Sequence, residues 1–165
     1  MGFMAVLQQA VVLKAIVLSR CLSNYKNLFN LYHLVCRWCT TTHIFFLSCG
    51  EITVTLEDVA NQLSLPILGN VDPSGMELFP EEEAVEAKLK KGMSGNAKLL
   101  HWVGAFSKAS DVVRCVAFVA FWLYKFIFDS HPHYAVKPLY FQLAIKIFAE
   151  VSLPLAPMFL GHLYM

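Results

Sequence analysis

Charge is scarce in this sequence. Only 15% of its 165 residues are Asp, Glu, Lys or Arg, against 57% hydrophobic, on the apolar side of ordinary soluble domains. The 13 basic and 12 acidic side chains nearly cancel, leaving a formal net charge of +1. That excludes the global basic field that drives nucleic-acid binding. Nor does the first stretch read as a cleavable leader: "MGFMAVLQQAVVLKAIVLSR" has no basic start, and Gln8, Gln9 and Lys14 interrupt its apolar run. The five cysteines, at 21, 36, 39, 49 and 115, are odd in number and irregular in spacing, a pattern of free thiols in a reducing compartment rather than a disulfide framework.

A long uncharged run is also absent. The most apolar segment, "VVRCVAFVAFWLYKFIF" at 112–128, would span roughly 25 Å as a helix, short of the roughly 30 Å hydrocarbon core. At about 100° per residue, Asp111, Arg114 and Lys125 fall in one narrow stripe, the pattern of a core helix with a thin solvated edge. A small membrane-associated helical protein is therefore the alternative reading, and a buried helix the first.

Catalytic fingerprints are lacking as well. There is no G-x-S-x-G, HExxH or dinucleotide-binding glycine motif. "GMSGNAK" has neither the GK[ST] ending of a phosphate loop nor a preceding strand, and reads as a linker. His131 and His133 in "HPH" have no nearby ligand pattern to complete a metal set. No nucleophile, base and oxyanion donor assemble from the sequence, so no catalytic residue, cofactor, metal or small-molecule substrate is expected.

One stretch does suggest chemistry. "CRWCTTTHIFFLSC" spaces Cys36, Cys39, His43 and Cys49 as C-x2-C-x3-H-x5-C, near the C-x2-C-x4-H-x4-C of a zinc knuckle. Four ligands must converge at about 2.0 to 2.3 Å, so the chain between them has to fold tightly. Here the last interval, "IFFLS", is an extended β pattern without glycine, and Cys36 and Cys39 sit at a helix end where one-turn spacing is unremarkable. The spacing is read as coincidence.

The elements follow from periodicity and breakers. Helices are expected over about 4–22 and 26–37, split by "SNYKN". A hairpin is expected from "HIFFL" (43–47) and "EITVT" (51–55), rich in β-branched and aromatic residues and joined by a turn in which Gly50 can take positive φ. Thr55 and Asp58 form a capping-box pattern for a helix over 56–64 that stops before Pro66. The loop "PILGNVDPSGMELFP" leads to "EEEAVEAKLKKG", acidic at its start and basic at its end, as the helix dipole favours, with Glu86 and Lys90 as an i,i+4 pair. This segment is read as a solvated helix or mobile insert rather than a docking site. A buried helix begins at Ser110 or Asp111, another covers about 138–150, and a last one starts near 156 with Pro157 in its first turn. The fold expected is mainly α with one small β-hairpin, a multi-helix globular domain. The open apolar face of "FLGHLYM" reads as a unit truncated at its C-terminus.

The run "RWCTTTHIFFLSCGEITVTLEDVANQLSLPILG" (37–69) resembles the signature of the plant mobile domain, also labelled the aminotransferase-like plant mobile domain. Trp38, Thr42, His43, Phe45, Leu47, Gly50, Glu51, Thr53, Leu56, Asp58, Val59, Leu65, Pro66 and Gly69 fall on its pattern. Phe46 replaces a usual His, Ser48 a usual Pro and Ser64 a usual Gly. A second block, "AFVAFWLYKFIFDSHPHYAVKPLYFQLAIKIFAEVSLPLAPMFLGHLY" (117–164), is similar to the family's long helix followed by an L-A-P-x-x-L-x-x-L-Y segment. On this resemblance residues 1–29 are an N-terminal helical segment, 30–165 a partial plant mobile domain, and 70–97 a polar insert within it.

The resemblance implies a nuclear plant protein related to transposon-encoded domains, linked to transposon silencing, gene expression and meristem maintenance. It implies action through protein partners, among them a serine/threonine phosphatase of the phosphatase-seven type, with nucleic acid reached only through partners or chromatin. It also gives the motif residues Trp38, Thr42, His43, Gly50, Glu51, Thr53, Leu56, Asp58, Val59, Leu65 and Pro66 a structural or interaction role. The aminotransferase-like label is not followed: a pyridoxal-phosphate site needs a Schiff-base lysine, a phosphate cup and a carboxylate for the ring nitrogen, and none can be assigned. A non-enzymatic module is expected.

Overall fold

Apolar runs at helical spacing, punctuated by short polar breaks, give nine α-helices and three short strands among the residues that the computed structural model describes, which are 2–21, 27–91, 99–106, 109–128 and 139–165. The helices are α1 (Phe3–Gln9), α2 (Leu13–Cys21), α3 (Leu28–Val35), α4 (Leu56–Leu63), α5 (Pro80–Lys91), α6 (Leu99–Phe106), α7 (Asp111–Trp122), α8 (Leu139–Phe148) and α9 (Leu155–Leu163). The strands β1 (Trp38–Cys39), β2 (Ile44–Leu47) and β3 (Gly50–Ile52) form one antiparallel sheet in the order β1-β2-β3. The fold is mainly helical with a small sheet, as expected. The "GMSGN" linker, most of "SNYKN" and the "HPH" loop lie outside the described residues.

Two features depart from the expected elements. The first apolar stretch is two helices, not one: α1 and α2 meet at 107°. Val11 takes φ 61, its N–H bonds the Gln8 carbonyl at 3.1 Å, and the Val12 N–H reaches back to Leu7 at 3.0 Å. This is a Schellman ending, in which the left-handed residue is usually glycine. No glycine or proline marks it, so the periodicity runs through the break. The hairpin, in turn, carries a third strand: Trp38 and Cys39 pair with Phe45 and Ile44, a two-residue ladder too short to show a period.

The core lies where α7 packs along α8. Val113, Val116, Ala117, Val119, Ala120 and Trp122 line the buried face of α7, while Asp111, Arg114 and Lys125 stay exposed, the solvated stripe anticipated above. The segment continues as a π-helical turn, Leu123–Ile127. From α6, Trp102 stacks on Phe141 at 5.7 Å. Trp122 Nε1 donates to Ser19 Oγ at 3.0 Å, tying α2 to the same core. Among the described residues no single helix is long and apolar enough to cross a membrane.

The charged helix α5 is solvated along one face and buries Leu89 on the other. The Glu86–Lys90 pair forms at 2.8 Å. Near its start, the Phe79 N–H and Lys146 Nζ both donate to Glu82 Oε2, at 2.8 and 2.6 Å, and the ammonium also sits 4.8 Å from the Phe79 ring centre. A nearly buried lysine on α8 is thus neutralised by α5.

Candidate functional site

The motif residues meet where the sheet leans on the end of α9. Antiparallel register puts Trp38, Phe45 and Ile52 in one row across the three strands, so their side chains share a face. Trp38 and Phe45 rings lie 4.6 Å apart. Over this face lies Tyr164, stacked on Trp38 at 6.0 Å and 14° and touched edge-on by His43 at 5.2 Å. His43 holds φ 56, a left-handed conformation that histidine tolerates better than most residues. Its N–H closes a turn onto the Cys39 carbonyl at 2.8 Å.

Hydroxyl groups complete the joint. Thr53 Oγ1 donates to the His43 carbonyl at 2.7 Å and lies 2.8 Å from the Tyr164 hydroxyl, which also donates to the Val54 carbonyl. Each hydroxyl carries one proton. Thr53 spends its proton on His43, so Tyr164 must divide its own between Thr53 and Val54. The result fastens the turn before β2, the end of β3 and the end of α9 with two protons.

From there the chain enters α4. Thr55 Oγ1 accepts from the Asp58 N–H at 3.1 Å, and Asp58 Oδ2 accepts from the Thr55 N–H at 2.9 Å and the Thr55 hydroxyl at 2.7 Å. This is the capping box expected from the sequence. The Thr55 hydroxyl and then its backbone N–H hold the Asp58 carboxyl below the usual carboxylate range. Leu56 packs against the core and Val59 is buried. α4 ends on Ser64 at φ 53, the position where the family pattern has glycine, and a left-handed residue explains that preference. Leu65 and Pro66 are buried.

Beyond α4 the two resembling blocks touch. The Asn70 N–H donates to Ser152 at 2.8 Å and the Ala156 N–H to Pro66 at 3.0 Å, an antiparallel pairing of two loop segments. A Cβ on Gly69 would meet Pro154 Cδ at 2.4 Å and Ser152 O at 2.9 Å. Of the named motif residues, Trp38, His43 and Thr53 thus meet at Tyr164, Asp58 caps α4, and Leu56, Val59, Leu65 and Pro66 face the core. Gly50 turns the hairpin at φ 130. Thr42 and Glu51 are exposed. Tyr164 was missed as a site residue, although the closing Leu-Tyr of the second block carried its signal.

Among the described residues no three His, Cys, Asp or Glu side chains converge to hold a metal ion, and β2 is extended where a knuckle must turn. The Thr42 hydroxyl, then the Thr42 and Thr41 backbone N–H groups, hold the Cys39 thiol below its ordinary value, whereas burial pushes Cys115 up. Met76, Phe128, Tyr140 and His162 line a cleft of about 550 Å³, and none of the described residues in its wall is a lysine. Lys146, nearly buried, is taken by Glu82.

No curated protein and no solved structure matches the chain. A sequence model described as the plant mobile domain matches residues 12–165, taking in the aromatic joint, the capped helix and both segments that pair at Gly69. The chain belongs to the plant mobile domain family.

Proposed function

We propose that this chain is a non-enzymatic interaction module acting in the nucleus on protein partners. Its role is in the transposon silencing, gene expression and meristem maintenance that family membership suggests, with a phosphatase of the phosphatase-seven type as one candidate partner. The observation that carries the interaction reading is α3. Leu28, Phe29, Leu31, Tyr32, Leu34 and Val35 are all exposed, and the helix buries no residue. Contiguous apolar surface of this kind marks a contact site. The joint at Tyr164 supports the reading, because it anchors the sheet that directly follows α3 in the chain. Nucleic acid would be met through partners, since the net charge of +1 offers no field to phosphate.

A fluorescent fusion expressed from its own promoter, followed by proximity labelling, tests this. Nuclear signal with chromatin-associated proteins among the labelled neighbours is expected. Signal confined to the endoplasmic reticulum or another membrane, resistant to alkaline carbonate, would overturn it in favour of a membrane protein.

A further inference from the structure

The geometry points to the cleft of about 550 Å³ between α8, α9 and the loop before α5 as a binding site for a small, neutral, planar aromatic molecule. Its volume lies within the roughly 300–1,000 Å³ of small-molecule sites, whose walls are mostly apolar with a few polar groups. This wall has that make-up: rings and thioethers, with one amide and one imidazole.

The wall is also formed in advance. The π-helical turn Leu123–Ile127, a kind of turn that recurs at functional sites, delivers Phe128 to the cleft with its N–H bonded to the Leu123 carbonyl at 2.8 Å. The Phe128 ring stacks on Tyr140 at 5.4 Å and 4°, and His162 meets it edge-on at 5.7 Å. The Tyr140 hydroxyl, donating to the Phe128 carbonyl at 3.2 Å, fixes the stacked pair. Rings held in this way need little ordering when a ligand enters. On α9, Met158, Gly161 and His162 stand at i, i+3 and i+4 and share the face that lines the cleft. A Cβ on Gly161 would meet no atom within 4 Å, so the missing side chain keeps that part of the cleft open.

The ligand class follows from the lining. None of its described residues is Asp, Glu, Lys or Arg, so a charged group would lose its water and gain no counter-ion. That argues against fatty acids, phosphates and nucleotides. Met76, Met158 and Met165, half of the six methionines in the chain, gather here; their sulfur atoms make favourable contacts with aromatic edges, and their flexible side chains mould to a ring's outline. A rigid ring also loses less conformational freedom on binding than an alkyl chain. Gln142 and His162 supply the polar contacts. Neither side chain has a hydrogen-bond partner among the described residues, so a carbonyl or hydroxyl on the ligand can engage one of them.

This site depends neither on α3 nor on nuclear location, so its failure would leave the interaction reading standing. The neutral naphthalene ketone Prodan, titrated into the full chain carrying methyl-13C methionine, tests it. The expected result is saturable, one-site, blue-shifted emission, with the methyl signals of Met76 and Met158 moving and that of Met4, on α1, staying in place. Gly161→Leu, which fills the cleft, should raise the dissociation constant at least tenfold. Gln142→Leu, at a half-exposed position that the fold tolerates, serves as the second variant and should raise it about fivefold, the net worth of one hydrogen bond. Palmitate, an anionic alkyl chain, should not displace the dye. Emission that never saturates, methionine signals that stay in place, variants that both bind as the parent does, or displacement by palmitate would each overturn the assignment.

Discussion

Tyr164 has one hydroxyl proton and two acceptors competing for it. Because Thr53 already satisfies the His43 carbonyl, Tyr164→Phe leaves that bond intact and strands only the half-buried Val54 carbonyl. The cost should be about 1 kcal/mol, the net worth of one such bond. Tyr164→Ala also removes the stack on Trp38 and should cost about 1 kcal/mol more. Thermal melts of the two variants check the order, and equal losses would show that the ring contributes nothing. A second residue-scale expectation concerns the thiols. A lowered pKa means more thiolate at neutral pH, which outweighs the smaller loss of nucleophilicity per anion. Iodoacetamide at pH 7 should modify Cys39 before Cys115, the gap should close as the pH rises through the ordinary thiol range, and Thr42→Val should slow Cys39. Peptide mapping by mass spectrometry that found Cys115 equally fast would refute the hydrogen-bond account.

At the scale of elements, α4 was almost fully legible because both of its ends are chemical signals. Thr55 and Asp58 announce its start, and Pro66 its stop. The α1–α2 break was not legible, since Val11 adopts a glycine conformation without being glycine, and tertiary packing of α1 and α2 sets it. Ser64 stands between these cases: the family pattern has glycine there, and φ 53 supplies the reason. Ser64→Gly should therefore raise stability, by up to about 1 kcal/mol, less what glycine costs in the unfolded chain. The other end of the helix behaves oppositely with acid. Asp58 titrates below the unfolded value, so its contribution is complete above the ordinary carboxylate pKa and is lost as pH falls through the depressed one. Asp58→Ala should melt below the parent at pH 7, and the two curves should converge in strong acid. A constant gap across the pH range would mean that the carboxylate charge is not what holds the cap.

At the scale of the whole molecule, the chain closes on itself where two similar segments meet. Ser64-Leu65-Pro66 follows α4 and Ser152-Leu153-Pro154 follows α8. Each comes just after or at a left-handed residue, Ser64 or Glu150. Neither segment contains a β pattern, so their pairing across more than half the sequence was not readable in advance, any more than the reach of Tyr164 to Thr53, 111 residues away. What made the pairing possible is visible once it is seen. Pro154 has no N–H to offer at the middle of the pairing, its ring fills the space beside Gly69, and φ −76, ψ 67 places it in an inverse γ-turn that bonds the Leu155 N–H to Leu153 at 2.8 Å. Only a residue without a side chain can approach this ring. Gly69→Ala forces its new methyl to within 2.7 Å of the Pro154 backbone nitrogen and 2.9 Å of a carbonyl oxygen, and since neither is a flexible side-chain end, the two segments must separate. A loss of about 1 to 3 kcal/mol is expected, the usual cost of overpacking. Gly161, in the last turn of α9 with nothing near its missing Cβ, is the counterpart: Gly161→Ala should gain up to about 0.5 to 1 kcal/mol from helix propensity alone. Chemical denaturation of both variants decides the matter, and the sign is the test. If Gly69→Ala is as well tolerated as Gly161→Ala, the two segments do not lie in contact and the closure of the fold at Pro154 is wrong.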